Sequence, residues 1–248
     1  MKIRPGSWIV FVVVAAGLCA AGSAEAKPGL WLGLGASQQS VSGDLDGKTS
    51  HAFANSDQTG VIVPGKLADG SGFALDGGYG INRYLAAEFL FAGTQHKATT
   101  SAIGPPALDS TGSVSTGLVG LRGTYPAWDD KLELFARGMF GVYSAAYDDY
   151  ALKGAINRGT FVYTSTDRVV FSGSGAGLGI GAELLLGNFG ISLGYTTSSV
   201  GFVSASSPGA SGRLNKTLNA TINTVDLLLT YHFGKKAEEA PADEEPKP

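Results

Sequence analysis

Apolar and polar residues alternate with a period of two along Thr224–Phe233, T-V-D-L-L-L-T-Y-H-F. Val225, Leu227, Leu229, Tyr231 and Phe233 share one face, while Thr224, Asp226, Thr230 and His232 share the other. Successive side chains of a strand point to opposite faces, so this run predicts a ribbon with one continuous apolar side. Seven further segments carry the pattern, and the eight lie near 29–39, 70–81, 84–97, 112–125, 131–146, 168–185, 189–202 and 219–233. Three short connections, Asn82-Arg83, Pro126–Asp130 and Leu186–Asn188, hold turn-forming residues. The others, about 40–69, 98–111, 147–167 and 203–218, are long and rich in Ser, Thr, Gly, Asp and Ala. Ribbons joined alternately by tight turns and long loops predict an all-β, eight-stranded antiparallel up-and-down transmembrane β-barrel.

The direction in which the charges point decides between two eight-stranded containers. A soluble cup of the lipocalin type holds an apolar cavity and keeps its charges on the outer wall. A membrane barrel turns its apolar face to lipid and gathers charge around its axis. Phe73, Leu75, Tyr79 and Ile81 oppose Asp76, and Leu85, Ala87, Phe89 and Phe91 oppose Glu88. Leu132, Leu134, Ala136, Phe140 and Val142 oppose Glu133 and Arg137, while Leu178, Ile180, Ala182 and Leu184 oppose Glu183. Val119, Leu121 and Tyr125 oppose Arg122, and the last ribbon adds Asp226. Aromatic residues on the apolar faces, such as Tyr79, Tyr125, Phe189, Tyr231 and Phe233, gather toward segment ends, as interfacial girdles require. Gly173, Gly175, Gly177, Gly179 and Gly181 run in phase with Glu183, leaving room for long Arg and Glu side chains in a narrow interior. The pattern predicts lipid outside and a polar lumen inside.

Composition sharpens the setting. Residues 1–26 have the form of a signal peptide: Lys2 and Arg4 begin it, Trp8–Gly17 is apolar, and Ala24-Glu25-Ala26 is small-x-small. That apolar run is shorter than the roughly 20 residues a membrane-spanning helix needs. The single cysteine, Cys19, lies in this leader, so the exported part is expected to carry no disulfide. Glycine supplies 37 of 248 residues, about twice its usual share, and no long apolar run follows the leader. A net charge of −3 without a basic stripe argues against a nucleic-acid partner. The closing GKKAEEAPADEEPKP is charged and Pro-containing, which predicts a disordered acidic tail. The expected organisation is a signal peptide at 1–26, a barrel at 27–234 and a periplasmic tail at 235–248.

Four stretches carry a family likeness: the GYGINRYLAAEF hairpin (Gly78–Phe89), the LFARGMFGVY strand (Leu134–Tyr143), the LLLGNFGISLGY hairpin (Leu184–Tyr195) and the closing LTYHFG (Leu229–Gly234). In these the chain resembles the transmembrane domain of the OmpA-type small outer-membrane proteins, through the exported part up to about Phe233. The resemblance implies a barrel in the outer membrane of a Gram-negative-type bacterium, with both termini periplasmic and four long loops outside. Phe233 is similar to the terminal aromatic signal read by the outer-membrane assembly machinery, which is thereby implied as a partner during biogenesis. Fifteen residues follow it here. The peptidoglycan-binding domain of longer relatives is missing, so the resemblance implies no cell-wall anchor. Outer-membrane lipid and lipopolysaccharide are the expected surroundings, and a monomer is the expected state.

The inward set is Asp76, Glu88, Arg122, Glu133, Arg137, Glu183 and Asp226, with His232 near the periplasmic rim. Folding the hairpin at Asn82-Arg83 brings Asp76 and Glu88 almost opposite one another, where two carboxylates repel unless a cation intervenes. Arg122 is the expected bridge, and Arg137 is expected to reach Glu133 or Glu183. Such a network fills a lumen and blocks a channel, so a structural envelope role is expected. The alternatives are a narrow porin-like channel for ions or small solutes, and an adhesin acting through its long loops.

No enzyme is expected. The three histidines, His51, His96 and His232, are scattered, and nothing fixes His96 beside Asp109 or Ser110 as a dyad. Gly177–Ala182 fits G-x-G-x-x-A, yet it continues a ribbon instead of opening a helix, so no cofactor is expected. Asn215-Lys-Thr217 and Asn219-Ala-Thr221 match the glycosylation pattern incidentally. No Cys/His cluster has metal-ligand spacing.

Overall fold

A computed structural model describes residues 29–45, 51–54, 58–62, 64–100, 108–128, 131–148, 152–156, 159–163, 168–207 and 210–233. The expected signal peptide and acidic tail lie outside these residues, as do parts of the long connections. Eight long strands form the body: β1 (Leu30–Gly43), β2 (Gly70–Gly80), β3 (Leu85–Thr100), β4 (Leu108–Ala127), β5 (Leu132–Tyr147), β6 (Val169–Leu186), β7 (Phe189–Ser207) and β8 (Ala210–His232). Each pairs antiparallel with the next. β8 then pairs back onto β1 from Trp31↔His232 to Gly43↔Ala220, so the sheet closes on itself. Closure leaves no unpaired sheet edge, the condition for placing strands in hydrocarbon.

The stagger of this closure follows from the register. Moving sideways from Gly33 through Asp76, Leu90, Leu118, Gly141, Gly175, Val200 and Ala220 returns the path to Gly43, ten residues further along β1. Strands in such a barrel are tilted, and residues that neighbour one another across the lumen are far from level in sequence. Local chemistry forms the tight turns. Asn82 Oδ1 accepts from the Tyr84 and Leu85 amides at 2.8 and 2.9 Å. Gly187 takes a φ of +67° in the two-residue connection from Leu186 to Phe189, a conformation that costs glycine little.

Toward the turns, the outer wall is a belt of exposed apolar side chains. Leu34, Phe140, Ile180 and Leu229 are each at least 60 % exposed. Phe189, Tyr231 and Phe233 stack edge to face along its lower rim, with ring centroids 5.1 and 4.8 Å apart. Inside the belt lie the charges. Toward the loops this arrangement inverts. Gln38, Gln95, Lys97, Ser172, Ser174, Thr197, Ser199, Asn219 and Thr221 cover the outside. Val114, Tyr143, Tyr147, Phe171, Val200, Phe202, Leu218 and Ile222 pack within, joined by Leu45 and Leu67 from the first connection. The expectation of a polar lumen therefore holds only at the height of the belt. Beyond hydrocarbon the exterior meets water, and the interior is filled as in a soluble barrel.

The long connections are also shorter and more regular than expected. β3 and β4 run on to Thr100 and back from Leu108, while β7 and β8 extend to Ser207 and from Ala210. Most of the expected loop 203–218 is thus a hairpin. His51–Ala54 pairs with Gln58–Ile62 in the first connection, and Leu152–Ile156 with Gly159–Tyr163 in the third. The first hairpin joins β8 at Arg213↔Ala54 and Leu214↔Phe53, and the third joins the first through Gln58↔Ile156 to Val61↔Lys153. A returning strap at 64–69 covers the mouth. Lys66–Leu67 pairs with Ala98–Thr99, and Tyr147 Oη donates to Gly65 O at 2.8 Å.

Candidate functional site

The belt interior holds six buried charged side chains, one on each of six strands: Asp76 on β2, Glu88 on β3, Arg122 on β4, Arg137 on β5, Glu183 on β6 and Asp226 on β8. The two arginines organise it. Arg122 Nη2 meets Glu183 Oε2 at 2.7 Å. Arg137 spans the lumen, with Nη1 3.3 Å from Glu88 Oε1 and Nη2 3.2 Å from Asp226 Oδ2, while its Nε donates to Thr196 Oγ1 at 2.9 Å. Hydroxyls satisfy what the arginines leave. Ser37 Oγ donates to Asp226 Oδ1 at 2.8 Å, and Glu183 Oε1 accepts from Thr230 Oγ1 and from His232 Nε2 at 2.7 Å.

These pairings correct the expected ones. Arg122 does not bridge Asp76 and Glu88 but goes to Glu183. Arg137 goes to Glu88 and Asp226, and to neither Glu133 nor Glu183. Glu133 stands half-buried at the turn end, in register with Pro126 and Glu183, and makes no ion pair among the described residues. Asp76 is in register with Leu90 and Glu88 with Gly78, so the two acids are diagonal neighbours two positions apart.

Aromatic rings and glycines complete the site. Phe135 lies under both guanidiniums, with Arg122 Cζ 3.9 Å and Arg137 Cζ 5.8 Å from its ring centre, and Arg122 also lies 5.5 Å from the Trp31 ring. A flat ring face attracts a cation more strongly when both are desolvated. The inward glycines make the room. A Cβ on Gly179 would stand 2.9 Å from Arg137 Nε, one on Gly190 2.6 Å from Glu183 Oε1, and one on Gly181 would strike the Phe135 ring. Gly175 instead faces Tyr143, so the glycine row accommodates aromatics as well as charges. Trp31, Ser37, Phe135 and Thr196 join the site beyond the residues the sequence marks, and Thr230 joins it from the polar face of the last ribbon. Each lies on the inward phase of its strand, the signal that marks it.

His96 is buried under the strap. Its Nδ1 donates to Ala68 O at 2.7 Å and its Nε2 contacts Thr94 Oγ1 at 2.7 Å. The side chains of Asp109 and Ser110 lie outside those described. Among the described residues no group of three or more His, Cys, Asp or Glu is arranged to hold a metal ion. What this geometry does chemically is hold charge: two guanidiniums clamp three carboxylates across a narrow, closed interior.

A family model, the outer membrane protein beta-barrel domain, matches residues 9–233. The chain belongs to that family. It is accordingly an outer-membrane protein of the Gram-negative type. Similar solved structures include the attachment invasion locus protein Ail of Yersinia pestis, at 15% identity and TM-score 0.45, over 85% of this chain and 100% of that one. Neisserial surface protein A is similar at 11% identity and TM-score 0.48, over 82% of this chain and 96% of its own. OprG from Pseudomonas aeruginosa is similar at 14% identity and TM-score 0.44, over 84% and 97% of the two chains. No curated protein matches in sequence.

Proposed function

We propose that this outer-membrane barrel is a closed structural element of the envelope, with its turns and termini toward the periplasm and its hairpins outside. Lipid and lipopolysaccharide surround the belt, the outer-membrane assembly machinery inserts it, and it acts as a monomer. One observation carries the reading: the interior is obstructed twice in series, by the Arg122/Arg137 network at belt height and by the Phe171–Phe202–Tyr147 core beyond it. A dry apolar layer is a barrier to ions independent of any ionic gate. Planar-bilayer recording tests it. The wild type, Arg122→Met and Arg137→Met are all expected to remain non-conducting, since the apolar core survives each substitution. A stable unitary conductance in the wild type would overturn the reading and favour the narrow channel.

A second reading, surface attachment, is favoured by the sheet that continues β8 outward through 51–54, 58–62, 152–156 and 159–163. Backbone pairing supports a preorganised contact surface, which binds at lower entropic cost than free loops. Excising residues 149–167 should then abolish attachment of barrel-bearing liposomes to protein- or glycan-coated surfaces while the heat-modifiable fold survives. Unchanged attachment would leave this reading without support.

A further inference from the structure

Asp76 breaks the pattern of pairing. Glu183 is held by Arg122, and Glu88 and Asp226 by Arg137. Asp76 is only 1 % exposed, yet among the described residues it makes no ion pair. An ionised carboxylate removed from water and left unpaired is far less stable than its neutral form. Glu88 is its diagonal neighbour on β3 and is buried in the same lumen. Asp76 Oδ1 and Glu88 Oε2 are both buried and both lack a partner. Two neighbouring buried carboxyl groups, each with an unsatisfied acceptor, lack a hydrogen between them.

A third unsatisfied atom belongs to the same corner. Trp31 is in register with Gly78, and Gly78 with Glu88. The indole lies across Gly78, where a Cβ would strike it, and Trp31 Nε1 is buried without a partner. An indole N–H only donates, so it complements a carboxylate here but cannot stand in for the missing proton at the pair.

We propose that Asp76 and Glu88 form a proton-binding site in the lumen, a carboxylic acid and a carboxylate sharing one hydrogen, with the Trp31 N–H as a neighbouring donor. The charged groups around the pair are Arg122 from β4, Arg137 from β5, Glu183 from β6 and Asp226 from β8, with His232 of β8 hydrogen-bonded to Glu183 on its far side; β1 and β7 contribute Trp31, Ser37 and Thr196, which do not titrate in this range. Four carboxyls against two guanidiniums give this interior a formal charge of −2, which one bound proton reduces to −1. Loss of the proton sets two adjacent carboxylates against each other and makes Asp76 a competitor for Arg137, which already serves Glu88 and Asp226. Proton activity thereby governs the cohesion of the network, whether or not the barrel ever conducts.

Infrared spectroscopy of the full chain folded in detergent micelles tests the site. At pH 7 the wild type is expected to show a deuterium-sensitive protonated-carboxyl band. The band should be lost in Asp76→Asn, shifted in Glu88→Gln, where Asp76 keeps its proton but loses the carboxylate that shares it, and retained unshifted in Asp226→Asn. Asparagine at 76 donates an N–H where the proton would be, so this variant should keep its heat-modifiable fold. Should either variant fail to fold, carboxyl 13C resonances of the wild type give the same reading, one neutral and one ionised group in the pair. A missing band, a band unmoved by both substitutions, or two ionised carboxyls would overturn the proposal. So would a thermal midpoint that falls when sodium is replaced by a bulky organic cation, since a metal ion would then occupy the place of the proton.

Discussion

Replacing Arg137 by methionine keeps the bulk of the side chain and removes its charge. The substitution strands Glu88 and Asp226, which the guanidinium holds at 3.3 and 3.2 Å, and takes a 2.9 Å donor from Thr196. Breaking one buried ion pair by removing a partner costs about 3–5 kcal/mol. With two carboxylates stranded, a loss near the upper end, about 4–5 kcal/mol, is expected. At a denaturant dependence of about 2 kcal/mol per molar, the urea midpoint of the barrel in liposomes falls by about 2 M. Tryptophan fluorescence and the gel shift between boiled and unboiled protein both report that midpoint. Adding Asp226→Asn to Arg137→Met removes one stranded charge, so the double variant should be more stable than the sum of the single losses by about 2 kcal/mol. Additive losses, within about 0.5 kcal/mol, would refute the cross-lumen pairing.

Three further substitutions probe other levels of the structure. Phe171→Ala should cost about 3–5 kcal/mol by opening a cavity in the apolar core, whereas lipid-facing Phe140→Ala should cost less because acyl chains fill the space; equal costs would argue against the inverted interior. Gly181→Val should destabilise by about 1–3 kcal/mol through overlap with Phe135 and with the Leu193 carbonyl, and Phe135→Ala in the same molecule should relieve only the part due to the ring in urea titrations. Tyr147→Phe should weaken the strap by about 1 kcal/mol, read as faster amide exchange at Leu67 and Ala68 with the global midpoint little changed.

The alternation in Val225–Phe233 was enough to assign inside and outside at the belt, because lipid and lumen impose opposite chemistries on adjacent residues. The same strand shows why the half toward the loops departs from that pattern. Leu218, Ala220 and Ile222 are apolar at even positions, and Val225, Leu227 and Leu229 at odd ones. The strand does not change direction between them; its surroundings do, from water to hydrocarbon. β6 repeats the shift between Phe171 and Leu178, and β7 between Tyr195 and Val200. Read as a break in pattern, the shift suggests a loop over 203–218, where the chain is a hairpin.

The ion pairs were hidden for a different reason. Arg122 and Glu183 sit two strands apart, and Arg137 reaches Glu88 and Asp226 from opposite sides of the barrel. Which residues meet across a narrow tube depends on the ten-residue stagger and on which inward positions are glycine. The candidates were legible from phase alone; their partners required the closed geometry.

That change of phase on successive staves gives the molecule a waterline. A float displaced by one pleat would drag Ser172, Thr197 and Thr221 into oil or lift Leu34, Leu193 and Val225 into the aqueous phase, and neighbouring staves would object in concert. The barrel thus sets its own draught in the bilayer, and whatever its hairpins display rides at a constant height above the lipid.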